Sequence, residues 1–327
     1  MTARSLLVAT ALGGALLAAQ GTRPAPPGWR WTRLVSTAPY AGSYNYPVYT
    51  VRGESWSMHP RGSWRSRDGV HWTPTALPSS GLNSAYQRFV LFNDAVMALG
   101  ALQGNYERFT ITPIIKRTRD LERWETLATT SNLPQRVFYG AVAFRGRLWM
   151  MGGYDGRRYS NEVWNSPDGV RWTAVSRAAP WSARTIETLV VFRDRLWLIG
   201  GGVIDGQVNP NPNSSREVWS TVDGVQWRRH ADRTGPLHGG TPIVFDDRLW
   251  LIGVNRAGAF APATLVTADG DLWEEHGAPW PARGGAAVWV LGDRLLMTGG
   301  KYSEGSGEAI RFAYRNDVWA LERAPRR

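Results

Sequence analysis

Three arginines occupy the same place in three stretches of this chain. Arg136, Arg184 and Arg283 each stand eight residues before an apolar residue, Phe144, Phe192 and Leu291, that ends a short hydrophobic run. Three positions after the first two come Tyr139 and Glu187, and His238 follows Leu237, which holds the arginine's place in another such stretch. A guanidinium presents paired planar donors that match a carboxylate or a sulfate. Gathered around one opening, such groups would hold an acidic ligand and steer anions inward. Tyr139 and Glu187 carry groups able to move a proton, so a general acid or base is conceivable at the same place. His59, His71, His230, His238 and His276 lack the spacing of metal ligands, and no metal site is expected. No nucleophile elbow, phosphate loop or dinucleotide fingerprint occurs, and no cofactor is expected.

Composition narrows the chemistry further. The chain has 327 residues, 18 Trp, 36 Gly and no Cys, which excludes disulfides, thiolate metal sites and a thiol nucleophile. Its net charge is +11, and of 38 basic residues only Lys116 and Lys301 are lysine. This favours acidic partners: an anionic saccharide or an envelope protein. The arginines are spread along the whole chain, which argues against a nucleic-acid footprint.

Residues 1–21 read as an export leader. Arg4 precedes the uncharged run Leu6 to Ala19, and small residues stand at Ala19 and Gly21. Fourteen residues of helix reach about 21 Å, short of the ~30 Å apolar core of a bilayer. Cleavage would leave an exported, periplasmic or secreted protein with no membrane span in the mature chain. Residues 22–28, with Pro24, Pro26 and Pro27, form a stiff spacer.

The remaining chain repeats. The runs AVAFRGRLWMMGG (141–153), LVVFRDRLWLIGG (189–201), PIVFDDRLWLIGV (242–254) and AVWVLGDRLLMTGG (287–300) share one design, with weaker copies at 89–101 and 47–59. Aligning Ser55, Val96, Leu148, Leu196, Leu249 and Leu295 gives spacings of 41, 52, 48, 53 and 46. In phase with them recur SRDGVHW (66–72), SPDGVRW (166–172), TVDGVQW (221–227) and TADGDLW (267–273), with TRDLERW (118–124) a variant. Asp and Gly there form a turn, so Asp68, Asp168, Asp223 and Asp269 are assigned to structure. Each unit thus holds four short strands, a to d: two apolar strands joined by a tight turn, then two joined by the Asp-Gly turn. Four-stranded units at a period near fifty predict an all-β, six-bladed β-propeller over 29–327, expected as a monomer. The sixth unit lacks strand d, and Trp29 to Leu34 matches Val170 to Val175, so the N-terminal strand is predicted to complete the last blade.

The apolar strand, the Gly-Gly pair, the spaced aromatic and the Trp-bearing strand together resemble kelch repeats, as in bacterial kelch proteins and the central domain of galactose oxidases. That resemblance implies a propeller and little about activity, because propellers host unrelated functions. The copper-radical chemistry of galactose oxidase requires a cysteine that this chain lacks. Six-bladed kelch propellers also include sialic-acid mutarotases, which implies a sugar mutarotase, or a lyase, as the alternative to a binding module.

Strand parity places the d–a and b–c loops on one face and the Asp-Gly turns on the other. The expected site is therefore the channel mouth on the loop-rich face, with Arg136, Arg184, Arg283, Tyr139, Glu187 and His238 as ligand-binding candidates. Two readings of the arginines stand side by side here: contact with a ligand, or bonds to a neighbouring blade.

Overall fold

The computed structural model describes residues 25–59, 61–75, 88–104, 109–186, 188–202, 215–232, 234, 235, 237, 239–256, 259–304 and 311–325. The predicted leader lies outside the described residues, as does part of the spacer. Six four-stranded antiparallel sheets form the ring. Blade 1 comprises Val48–Val51, Glu54–His59, Gly62–Ser66 and Thr73–Pro74, and blade 2 comprises Arg88–Phe92, Ala95–Gly104, Phe109–Thr118 and Glu125–Ala128. Blade 3 is Gly140–Phe144, Arg147–Met151, Val163–Ser166 and Thr173–Ser176; blade 4 is Leu189–Phe192, Arg195–Ile199, Val218–Thr221 and Trp227–Arg229. Blade 5 is Gly239–Phe245, Arg248–Arg256, Ala263–Thr267 and Glu274–Gly277, and its second strand also pairs with Ala259–Phe260.

Blade 6 takes Ala287–Leu291, Arg294–Thr298 and Val318–Arg323 from the end of the chain and Trp29–Val35 from its beginning. Trp31 lies opposite Leu321 and Arg33 opposite Trp319 in this closing pair. The strand-a residues of neighbouring blades pack side by side around the axis, and cross-blade bonds reinforce them: Tyr49 Oη donates to Phe89 O at 2.7 Å and Thr188 Oγ1 to Gly240 O at 2.9 Å.

Local chemistry explains the turns. In five of the six blades the a–b connection is a two-residue turn with positive φ at both positions, as at Arg145 and Gly146 or Asp246 and Asp247, the geometry that matches strand twist; in blade 6 only Gly292 has positive φ. The c–d turns repeat one network. Asp223 Oδ1 accepts the N–H groups of Val225 and Gln226, Thr221 Oγ1 accepts that of Gly224, and Trp227 Nε1 donates to Gly224 O. The same bonds recur around Asp68, Asp168 and Asp269. Around Asp120 the glycine is replaced by Leu121, which adopts φ 62° and buries its side chain in the cluster holding Trp56 and Val96.

These turns make the fold acid-sensitive in a defined direction. For Asp269 the Leu272 amide, and for Asp120 the Arg123 amide, are the largest influences, and both carboxyls sit below their ordinary range. At Asp168 and Asp223 burial pushes upward, but the accepted amide bonds outweigh it and the net shift is again downward. The unfolded chain, with Asp near 3.9, therefore takes up protons first. The stability from these turns is whole above about pH 4 and drains as pH falls through the folded values. His59 adds a milder step: burial lowers its imidazole although Ala41 O accepts its ring N–H, so stability starts to fall below about pH 6.5. Thermal melts from pH 8 to 2 should show a small loss, then a steep one. His59→Gln should abolish only the first, and a melting temperature that rises on acidification would contradict the assignment.

Candidate functional site at the channel mouth

The Gly-Gly pairs bring the d–a and b–c loops together on one face. Isolated bridges join Val137 to Tyr154, Thr185 to Gly202 and Gly284 to Lys301, each linking the approach to strand a with the segment after strand b. The neighbouring blade presses equally close. A Cβ on Gly200, already at φ 64°, would lie 2.1 Å from Leu237 O, so only glycine fits there. Parity is thus as expected: the loops gather at one end of the channel and the Asp turns at the other.

The arginines sit beside this mouth but do not open into it. Arg283 is 0 % exposed and grips Asp317 bidentately, Nη1 to Oδ1 at 2.5 Å and Nη2 to Oδ2 at 2.9 Å, with a third bond to Gly299 O. Arg184 is 1 % exposed and pairs with Glu217 at 2.7 Å and with Ser215 Oγ. Arg136 pairs with Glu162 and donates to Ser160 Oγ at 2.7 Å. In every case the carboxylate stands immediately before strand c of the arginine's own blade, at Val163, Val218 and Val318. The pairs clip the entry of strand a to the entry of strand c. Blade 5 solves the problem without charge: Leu237, fully buried, takes the arginine's place and Pro262 stands where the carboxylate would be. None of the three arginines lines the central cavity; of the two readings, ligand contact is not what these side chains make, and their ion pairs lie within their own blade rather than with a neighbouring one.

Other predicted residues fare differently. Tyr139 borders the cavity but is buried, and its hydroxyl donates to Leu99 O at 3.3 Å. Burial pushes its ionisation well above the ordinary phenol range, against the influence of Arg88. A phenol so placed is a poor proton carrier. Glu187 and His238 lie outside the described residues. Ser220, His230 and Asp271 meet as a hydroxyl–imidazole–carboxylate chain at 2.8 and 2.5 Å. Ser220 is 1 % exposed and the Trp197 ring lies 4.5 Å from the imidazole, so no substrate carbonyl reaches the hydroxyl. The chain ties blade 4 to the turn of blade 5.

The cavity itself, about 260 Å³, draws lining from all six blades, among them Asn45, Arg88, Tyr139, Ile186, Asn255 and Lys301. Its cationic members are Arg88 and Lys301, and no carboxylate lines it among the described residues. Arg88 begins strand a of blade 2, where Nε donates to Tyr139 O of the next blade at 2.8 Å. That bond staples two blades and uses one donor, leaving the terminal nitrogens without a carboxylate partner among the described residues. Lys301 directly follows Gly299-Gly300 and is carried to the mouth by its bridge to Gly284. Positional analysis misses both. Arg88 sits four residues before Phe92, a place where other blades carry Gly140, Thr188, Thr241 and Ala287, so no repeat points to it. Lys301 had one available signal: a rare lysine next to a Gly-Gly pair.

The fold is a six-bladed β-propeller, and its loop-rich face carries a central cavity lined by residues of all six blades. No family model matches the chain, and no curated protein matches it in sequence. Among solved structures, the one titled "Structure of YjhT" is similar, with a TM-score of 0.67 at 13% identity over 88% of this chain and 97% of that chain. A likeness at that identity establishes the shared fold.

Proposed function

We propose that this chain is an exported kelch-type propeller whose funnel binds a small anionic ligand, a carboxylated or sulfated sugar, without transforming it. The observation that carries the reading is Arg88, a cavity-lining cation whose terminal nitrogens have no carboxylate partner among the described residues. A recessed, partly dry cation binds a carboxylate through charge-assisted bonds stronger than neutral ones. The leader-like first residues supply export, and the repeat pattern supplies the kelch reading. A sugar mutarotase or lyase would need a proton-transfer group in the funnel; the buried, bonded Tyr139 is a poor one, and Glu187, the other candidate, lies outside the described residues.

Calorimetric titration with galacturonate, glucuronate and N-acetylneuraminate, each against a neutral sugar of similar size, tests the reading. The acidic sugars should bind and the neutral ones should not. Arg88→Gln, which keeps an amide donor for Tyr139 O, and Lys301→Met should each weaken binding by about 10- to 100-fold, the range for one charged hydrogen bond. Equal binding of acidic and neutral sugars would overturn the proposal. Anomeric exchange accelerated by the protein, followed by NMR, would replace the binder with the enzyme.

A further inference from the structure

The hairpin that follows Gly299-Gly300 places aromatic rings where packing does not require them. Lys301–Glu304 pairs antiparallel with Arg311–Tyr314, with Lys301 opposite Tyr314 and Ser303 opposite Phe312. Residues opposite each other, and those two apart, share a face of a two-stranded sheet. Lys301, Phe312 and Tyr314 therefore stand on one side. The contacts agree: Lys301 Nζ lies 4.8 Å from the ring centres of Tyr44 and Phe312 and 5.9 Å from that of Phe260, and Tyr44 stacks on Tyr314 at 5.5 Å and 21°. The cluster joins blades 5, 6 and 1 and runs into the funnel, since Phe260, Lys301 and Asn45 are lining residues. Its position is held firmly: Gly42 packs so close that a Cβ there would lie 2.6 Å from Tyr314 O.

Phe312 is 41 % exposed and Tyr314 is 45 % exposed, and neither belongs to a core cluster. Exposed rings beside a polar, cationic opening mark a binding surface. Their faces carry the negative lobe of the ring quadrupole and attract polarised C–H groups and cations. A pyranose offers one such apolar C–H face, and an acidic pyranose also offers a carboxylate to Lys301. The funnel, at about 260 Å³, lies at the small end of ligand pockets, which begin near 300 Å³. A cavity below that range is too small for a chain of sugars, so a longer ligand would extend beyond it.

Resting on the funnel reading above, we propose that Tyr44, Phe260, Phe312 and Tyr314 form a second saccharide subsite. The ligand is then the end of an acidic oligosaccharide, one unit held by charge in the funnel and the next stacked on the aromatic shelf. Trigalacturonate and galacturonate, with a hyaluronan hexasaccharide as a second acidic chain, are the probes. The wild-type protein should bind trigalacturonate at least 10-fold more tightly than the monomer. The double variant Phe312→Ala/Tyr314→Ala, truncating only exposed rings, should keep its circular dichroism while the ratio of trimer to monomer affinity collapses to about 1; Phe312→Tyr should preserve that ratio. A wild-type preference absent for both chains, or unchanged in the double variant, overturns the shelf. Trimer binding that depends on Phe312 and Tyr314 but not on Arg88 would uphold the shelf and sink the funnel reading, so the two failures are told apart.

Discussion

Asp317→Ala should remove about 3–5 kcal/mol of stability, the cost of leaving a buried charge without its partner. Arg283 is fully buried, and Asp317 supplies both oxygens that its terminal nitrogens meet, while also accepting Trp319 Nε1 at 2.8 Å. Burial pushes the Asp317 carboxyl upward, yet the guanidinium's bonds and charge outweigh that and hold it below the ordinary range. Removing the acid strands the cation. Removing both should hurt less, because blade 5 already performs that experiment with Leu237 and Pro262. In denaturant melts Arg283→Leu/Asp317→Ala should recover at least ~1 kcal/mol relative to Asp317→Ala, within the usual size of couplings between contacting residues. The double variant should also keep its affinity for acidic sugars. A double variant no better than the single, or one that folds and loses ligand binding, would return Arg283 to the site.

Trp31→Ala should cost about as much, roughly 3–5 kcal/mol for a large aromatic removed from a packed core. Trp31 is buried in the cluster between blades 5 and 6 and meets Trp280 edge-on at 5.8 Å and 89°. It sits on the strand that closes the ring, paired through Leu321. Loosening that strand also bares the edge of Val318–Arg323, and an unpaired apolar edge invites association. The variant should therefore melt earlier and aggregate as it does so. Val225→Ala, on an exposed turn residue at 51 %, should stay within about 0.5 kcal/mol of wild type. A Trp31→Ala protein that melts like wild type would mean the closing strand contributes little.

The fold was legible because it repeats. Phe144, Phe192 and Phe245 end strand a in three blades, and the Asp-Gly turns recur in phase, so noise in one unit is corrected by the next. Even the closure was readable, because Trp29 to Leu34 carries the pattern of a fourth strand detached from its blade. The arginines misled for a physical reason: a residue that recurs in three blades serves something all three blades need. Their partners, Glu162, Glu217 and Asp317, stand 26 to 34 residues downstream, each just before a Val-Trp pair. Recurrence in that second place, with the joint loss at Leu237 and Pro262, was the readable sign of a clip. The proposed site departs from the repeat instead: Arg88 carries no signature of its own, and Lys301 only its rarity beside a Gly-Gly pair.

A crystal structure of the protein with bound galacturonate decides the central claim most directly. The carboxylate should lie within hydrogen-bonding distance of the Arg88 terminal nitrogens or Lys301 Nζ, with the Arg283–Asp317 pair undisturbed. A sugar seated among the Asp turns of the opposite face, or a carboxylate taken by Arg136, Arg184 or Arg283 in place of their own acids, would contradict it.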